Sequence, residues 1–172
     1  MTPGSLILLH PPRATAAAWG EVPELLRARG REVLVPDVGE VGGMRYVARA
    51  SLAVAAAAPT APLVLVGRGA AGPLLPAMAA AQRAAHRAVG GYVFVDADPP
   101  APRAPAAGHA HALDAAPPVP ADWPEAPCGY LSTAGETPRV RQARLRGWQV
   151  TVLATGSADR LAAALDALIG AL

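Results

Sequence analysis

The stretch Leu63-Val64-Leu65-Val66-Gly67-Arg68-Gly69-Ala70-Ala71-Gly72-Pro73-Leu74-Leu75-Pro76 decides the fold. Its opening apolar run suits a strand buried on both faces. Glycines 67, 69 and 72 permit a tight turn, and the first turn of a helix follows. In such a strand, turn and helix, a G-x-S-x-G sequence presents a serine oxygen at the top of a parallel sheet. Here that place reads Gly67-Arg68-Gly69-Ala70-Ala71, and Gly69 has no side chain with which to attack a carbonyl.

Apolar runs recur at residues 5–10, 32–36, 63–67, 91–96, 127–132 and 148–154, rich in Val, Leu and Ile. Helical stretches fall between them, at about 19–30, 44–58, 71–88, 137–147 and 158–171. Six strands alternating with helices predict an α/β fold, a doubly wound parallel six-stranded sheet with helices on both faces and right-handed crossovers. The expected strand order is 2-1-3-4-5-6. At 172 residues the chain is expected to form one domain, 1–172. Residues 97–127 stand apart: nine of them are proline, and neither helical nor strand periodicity runs through them.

Four passages together resemble the α/β-hydrolase superfamily over nearly the whole chain, especially small bacterial members that lack the first two strands. They are Leu8-Leu9-His10 followed by Trp19, then Val33-Leu34-Val35-Pro36-Asp37, the turn at Gly69, and Tyr92-Val93-Phe94-Val95-Asp96. The resemblance implies a histidine base after the last strand, where this chain has Gly156-Ser157. It implies an acid after the fifth strand, within Ser132-Thr133-Ala134-Gly135-Glu136, where Glu136 is the one carboxylate. One oxyanion-hole N–H would come from Ala70 and the other from His10-Pro11-Pro12, where proline has none to give. A lid would follow the fourth strand, so residues 97–127 read as a reduced lid or as a loop without a role. The expectation is a degenerate member without its Ser-His-Asp triad, comparable in kind to the bottromycin peptide epimerase.

Composition excludes several classes. All 15 basic residues are Arg and Lys is absent, so no lysine Schiff base is available to a carbonyl substrate or to pyridoxal phosphate. No cofactor is expected. The net charge is +2 and the arginines are scattered, which argues against nucleic acid. Arg139, Arg141, Arg144 and Arg146 turn through more than one helical face and read as a solvated surface. Cys128 is the single cysteine and reads as a buried small hydrophobe. No apolar run approaches the roughly 18–20 residues of a membrane span, and no charged leader precedes the first strand, so a cytoplasmic protein is expected. His109, His111 and Asp114 have the composition of a metal site but no rigid frame, and no metal is expected. Trp19, Trp123 and Trp148 read as packing.

In an open parallel sheet, ligands bind beyond the carboxyl ends of the strands, where the order reverses. That places the loops after His10 and Gly67 together. His10 is a candidate general base or a shaper of the loop. Asp96 and Asp98 are candidate acids or bases, and Asp96 equally a brace for its turn. Arg68 suits a carboxylate or phosphate clamp, or filler for the space left by the serine, paired with an aspartate. Arg13, Gly69, Ala70, Ser132 and Ser157 complete the candidate substrate-binding set, with Ala70–Gly72 offering helix N–H groups to an anion.

Three functions follow. The first is a non-hydrolytic enzyme that isomerises, epimerises or cyclises a small organic or peptidic substrate, as in bacterial secondary metabolism. The second is a catalytically inactive ligand- or partner-binding protein. The third is a weak hydrolase with a relocated triad, such as Ser132 or Ser157 with His10 and Asp96. The sequence leaves the oligomeric state open, a homodimer included.

Overall fold

Alternation along the strands sorts side chains into two cores. The computed structural model describes residues 4–100, 117–154 and 156–172. Within them β1 (Leu6–Leu9), β2 (Val33–Leu34), β3 (Leu63–Arg68), β4 (Val89–Val95), β5 (Cys128–Ser132) and β6 (Gln149–Val152) form one six-stranded sheet in the order β2-β1-β3-β4-β5-β6. Every neighbouring pair is parallel: Leu6 lies opposite Val33 and Val64, and Phe94 opposite Gly67 and Tyr130. The predicted fold class and strand order are the observed ones.

Residues two apart on a strand share a face. Ile7, Leu9, Leu65, Tyr92, Phe94 and Tyr130 therefore point to one side, packed with Tyr46 and Val54 of α2 (Gly43–Ala57), Met78 of α3 (Leu75–Ala84) and Val140 of α4 (Pro138–Leu145). Leu6, Leu8, Val64, Val66, Val93 and Leu131 point to the other, packed with Leu26 of α1 (Val22–Ala28) and with Leu161 and Leu165 of α5 (Ala158–Gly170). Each fully buried Leu contributes about 1.5–3 kcal/mol relative to exposure, so a sheet covered on both faces is built from continuous apolar runs.

Elements come out shorter than the runs where proline intervenes. β2, on the sheet edge, stops at Leu34, two residues before Pro36. The helix expected over 19–30 starts only at Val22, behind a separate 3₁₀ turn at Ala16–Trp19. The helix expected over 71–88 is split into a 3₁₀ segment, Gly69–Leu74, containing Pro73, and then α3. Pro23 and Pro76 sit in the first turns of α1 and α3, where their missing N–H has no intrahelical partner to lose. The hydroxyls of Thr137 and Ser157 cap α4 and α5, accepting from the N–H groups of Val140 and Arg160.

The connection from β4 to β5 carries no helix among its described residues. The middle of the expected lid, residues 101–116 with His109, His111 and Asp114, lies outside the described residues. The near end of the connection to β5 is anchored. Trp123 stands edge-on to Tyr92 and Phe94 at centroid distances of 5.6 and 6.3 Å, and Glu125 accepts from the Tyr92 hydroxyl and pairs with Arg83 of α3. Among the described residues no helix is long and apolar enough to cross a membrane.

Candidate functional site

The turn after β3 keeps the backbone form that an elbow requires. Gly69 has φ +55°, a left-handed conformation that strains any residue with a Cβ. Space is not what demands glycine there, since an added Cβ would meet only the Pro11 Cγ, at 3.6 Å. Its neighbours differ. A Cβ on Gly67 would lie 3.1 Å from Leu75, and one on Gly72 would lie 2.7 Å from the Ala97 Cβ and 2.8 Å from the Asp98 carbonyl oxygen. Gly67 and Gly72 let the turn close onto α3 and β4, while Gly69 serves the bend itself.

Ala70 is exposed at this turn, but the helix N-terminus expected at Ala70–Gly72 belongs to a six-residue 3₁₀ segment. That segment runs directly into α3 at Leu75.

Arg68, the expected clamp, is engaged within the protein. Its guanidinium donates to the Ala18 carbonyl and lies 5.6 Å over the Trp19 ring. It fastens the 3₁₀ turn that follows β1, and it pairs with no aspartate among the described residues.

His10 is fully buried. The Val38 N–H approaches its Nε2 at 3.4 Å, which leaves Nδ1 as the donor to the Pro11 carbonyl at 2.9 Å. Tyr46 adds an edge-on ring at 5.4 Å and donates its hydroxyl to the His10 carbonyl at 2.6 Å. Burial holds the Tyr46 hydroxyl in its neutral form, so that donation persists at high pH. The imidazole braces the loops after β1 and β2. The next amides of that loop are also occupied: Arg13 N–H donates to Val41 O at 3.2 Å and Ala14 N–H to Pro11 O at 3.1 Å.

Asp96 follows β4 with φ +48°, and its carboxylate accepts from the Thr133 N–H at 2.7 Å and the Thr133 hydroxyl at 2.6 Å. It ties together the carboxyl ends of β4 and β5. Asp98 pairs with Arg139 at the surface. Ser132 is buried and donates to the Gly135 carbonyl at 2.8 Å, whereas Ser157 is the exposed cap of α5. Glu136 binds both terminal nitrogens of Arg144 at 2.8 and 2.6 Å, and that guanidinium holds its carboxyl below the usual carboxylate range. Among the described residues no hydrogen bond joins His10, Asp96, Asp98, Ser132 and Ser157 to one another.

Arg13 is exposed with φ +64° and lines a cleft of about 220 Å³ with Glu40 and Arg45. A larger cleft, of about 520 Å³, lies on the side of the sheet and is lined by Pro100, Pro120, Trp123, Pro124, Arg146 and Trp148 among others. Neither Arg68 nor Ala70 lines it, so this cleft is not the elbow pocket that the sequence led us to expect. Sequence reasoning missed it, together with Tyr46, because each depends on contacts distant in the chain. Cys128 is buried as expected, and desolvation pushes its thiol up to about 12.

No family model matches the sequence. No curated protein matches it. Solved structures do. A variant of the pyrethroid hydrolase PytH matches with a TM-score of 0.72 at 18% identity, covering 99% of this chain and 98% of that one. An extracellular α/β-hydrolase from a Paenibacillus species, described as sharing homology with tobacco salicylic acid binding protein 2, matches with a TM-score of 0.71 at 17% identity, covering 96% and 99%. Polyneuridine aldehyde esterase matches with a TM-score of 0.69 at 14% identity, covering 99% of each chain. The chain has the α/β-hydrolase fold.

Proposed function

We propose that this chain is a non-hydrolytic protein on the α/β-hydrolase fold, one that holds a small organic or peptidic ligand without cleaving it. Gly69 carries this reading: the elbow backbone is kept, and the residue at its apex has no nucleophile. Three further features support it. Pro11 and Pro12 offer no N–H to an oxyanion, Gly156-Ser157 stands where the resemblance puts the histidine base, and Glu136 is engaged by Arg144. In a working triad the loss of one member costs a factor of about 10⁴–10⁶ in turnover.

Holding is favoured over rearrangement by the state of the candidate acids and bases. An isomerase, epimerase or cyclase needs a group free to move a proton. His10 is fully buried, its ring enclosed by the Pro11 carbonyl, the Val38 N–H and the Asp37 carboxylate, and Thr133 donates to both oxygens of Asp96, so neither group turns a free proton-transfer atom to a ligand. The test is turnover of p-nitrophenyl acetate and butyrate by purified protein. Release at the buffer rate is expected; saturable release in proportion to protein would overturn the reading.

A further inference from the structure

We propose that the ligand site is the cleft between the β4–β5 connection and the turn from α4 to β6, and that it takes a planar aromatic carboxylate. This rests on the reading above, that the protein holds a ligand without cleaving it. The cleft is lined by Pro100 just after β4, by Val119 to Pro124 ahead of β5, and by Arg146 and Trp148 of the turn into β6. Its volume of about 520 Å³ is that of a small-molecule site.

Its walls suit a flat ring. Trp123 and Trp148 meet edge-on, with centroids 6.1 Å apart, and the rings of Pro100, Pro120 and Pro124 surround them. Such walls bury aromatic faces in offset or edge-on contacts.

Its charge is held in place by a stack. The Trp148 ring lies on Phe94 at 4.8 Å with planes 17° apart, and the Arg146 guanidinium carbon sits 5.3 Å from the centre of the Trp148 ring. Arg146 Nη1 donates to the Pro100 carbonyl at 2.9 Å, which together with the Trp148 ring restricts how the group turns. The hydrogen bonds among the described residues leave its Nε and Nη2 as a fork, and none of the ion pairs there includes Arg146. One such fork matches one carboxylate, whereas a phosphate dianion would leave a charge without a partner. Because the cation is oriented before binding, little ordering cost is left to the ligand.

The test titrates 2-naphthoate into the whole protein by calorimetry, following indole emission in parallel. Saturable binding at one site is expected, with naphthalene-2-carboxamide about tenfold weaker for want of the charge. Arg146→Gln should weaken naphthoate by about tenfold and remove the preference for acid over amide. Ala121→Trp, at an exposed position on the cleft wall, should block binding, and Arg144→Gln, whose partner is Glu136, should leave it unchanged. Unchanged affinity in both Arg146→Gln and Ala121→Trp, or no saturable binding by the wild type, would overturn the assignment. Absence of binding with no ester turnover would sink the cleft alone, and ester turnover without binding would sink both readings.

Discussion

The Cγ of Pro11 stands 3.6 Å from the point where a Cβ on Gly69 would lie. The loop that would lend an oxyanion its N–H instead presents a pyrrolidine ring to the elbow. The apex and the hole it would use are therefore altered together, and restoring one should not restore the other.

Gly69→Ser should fold and should not hydrolyse esters. The space accepts the hydroxymethyl group, but φ +55° costs a residue with a Cβ about 1–2 kcal/mol. A thermal melt should show a loss of several degrees, and p-nitrophenyl acetate should be released at the buffer rate. Turnover by this single variant would mean that some group already serves as base, with His10 the first to examine.

Gly72→Ala should cost more than Gly69→Ala, although Gly72 has the less unusual backbone. Its new methyl would lie 2.7 Å from the Ala97 Cβ and 2.8 Å from the Asp98 carbonyl, neither of which is a flexible chain end. Forcing β4's continuation away from the elbow costs about 1–3 kcal/mol beyond the ordinary effect of the substitution. Urea midpoints for the two variants check the order.

His10→Ala should destabilise the fold by about 3 kcal/mol, through a cavity under Tyr46 and the loss of an acceptor near the Val38 N–H. If the naphthoate affinity of the folded fraction is unchanged, the residue is a brace. A loss of binding at unchanged stability would contradict that.

Alkaline pH should weaken the fold. Burial raises the Cys128 thiol from 9.0 to about 12 and the Tyr130 hydroxyl from 10.0 to about 12, so above pH 9 the unfolded chain releases protons that the folded chain retains. Stability is then fully present below the unfolded values and falls as pH rises from about 9 towards 12. The urea midpoint at pH 10.5 should lie below that at pH 8. In the same experiment Cys128 should resist a disulfide reagent at pH 8 and react fully in denaturant.

What was legible in the chain was whatever is written locally. β1, β3 and β4 announce themselves as apolar runs, and Gly67-Arg68-Gly69 announces the turn, because burial on both faces and a left-handed bend each constrain the residues on the spot. Proline moved the ends: Pro36 beyond β2 and Pro73 ahead of α3 reset boundaries that periodicity alone blurs. The partners of the polar residues were not legible. Arg68 reaches Ala18 and Trp19, His10 meets Val38 and Tyr46, and Arg146 meets Pro100, all across gaps in sequence that only the folded sheet closes. For that reason the cleft beside Trp148 was not visible in the sequence.

A fluorophosphonate probe followed by intact mass and peptide mapping reports any activated serine of this protein, wherever it lies. An unmodified mass after prolonged exposure is expected, since the elbow apex is Gly69, Ser132 is committed to the Gly135 carbonyl and Ser157 to the cap of α5. Stoichiometric labelling of Ser132 or Ser157 would contradict it and establish a relocated nucleophile.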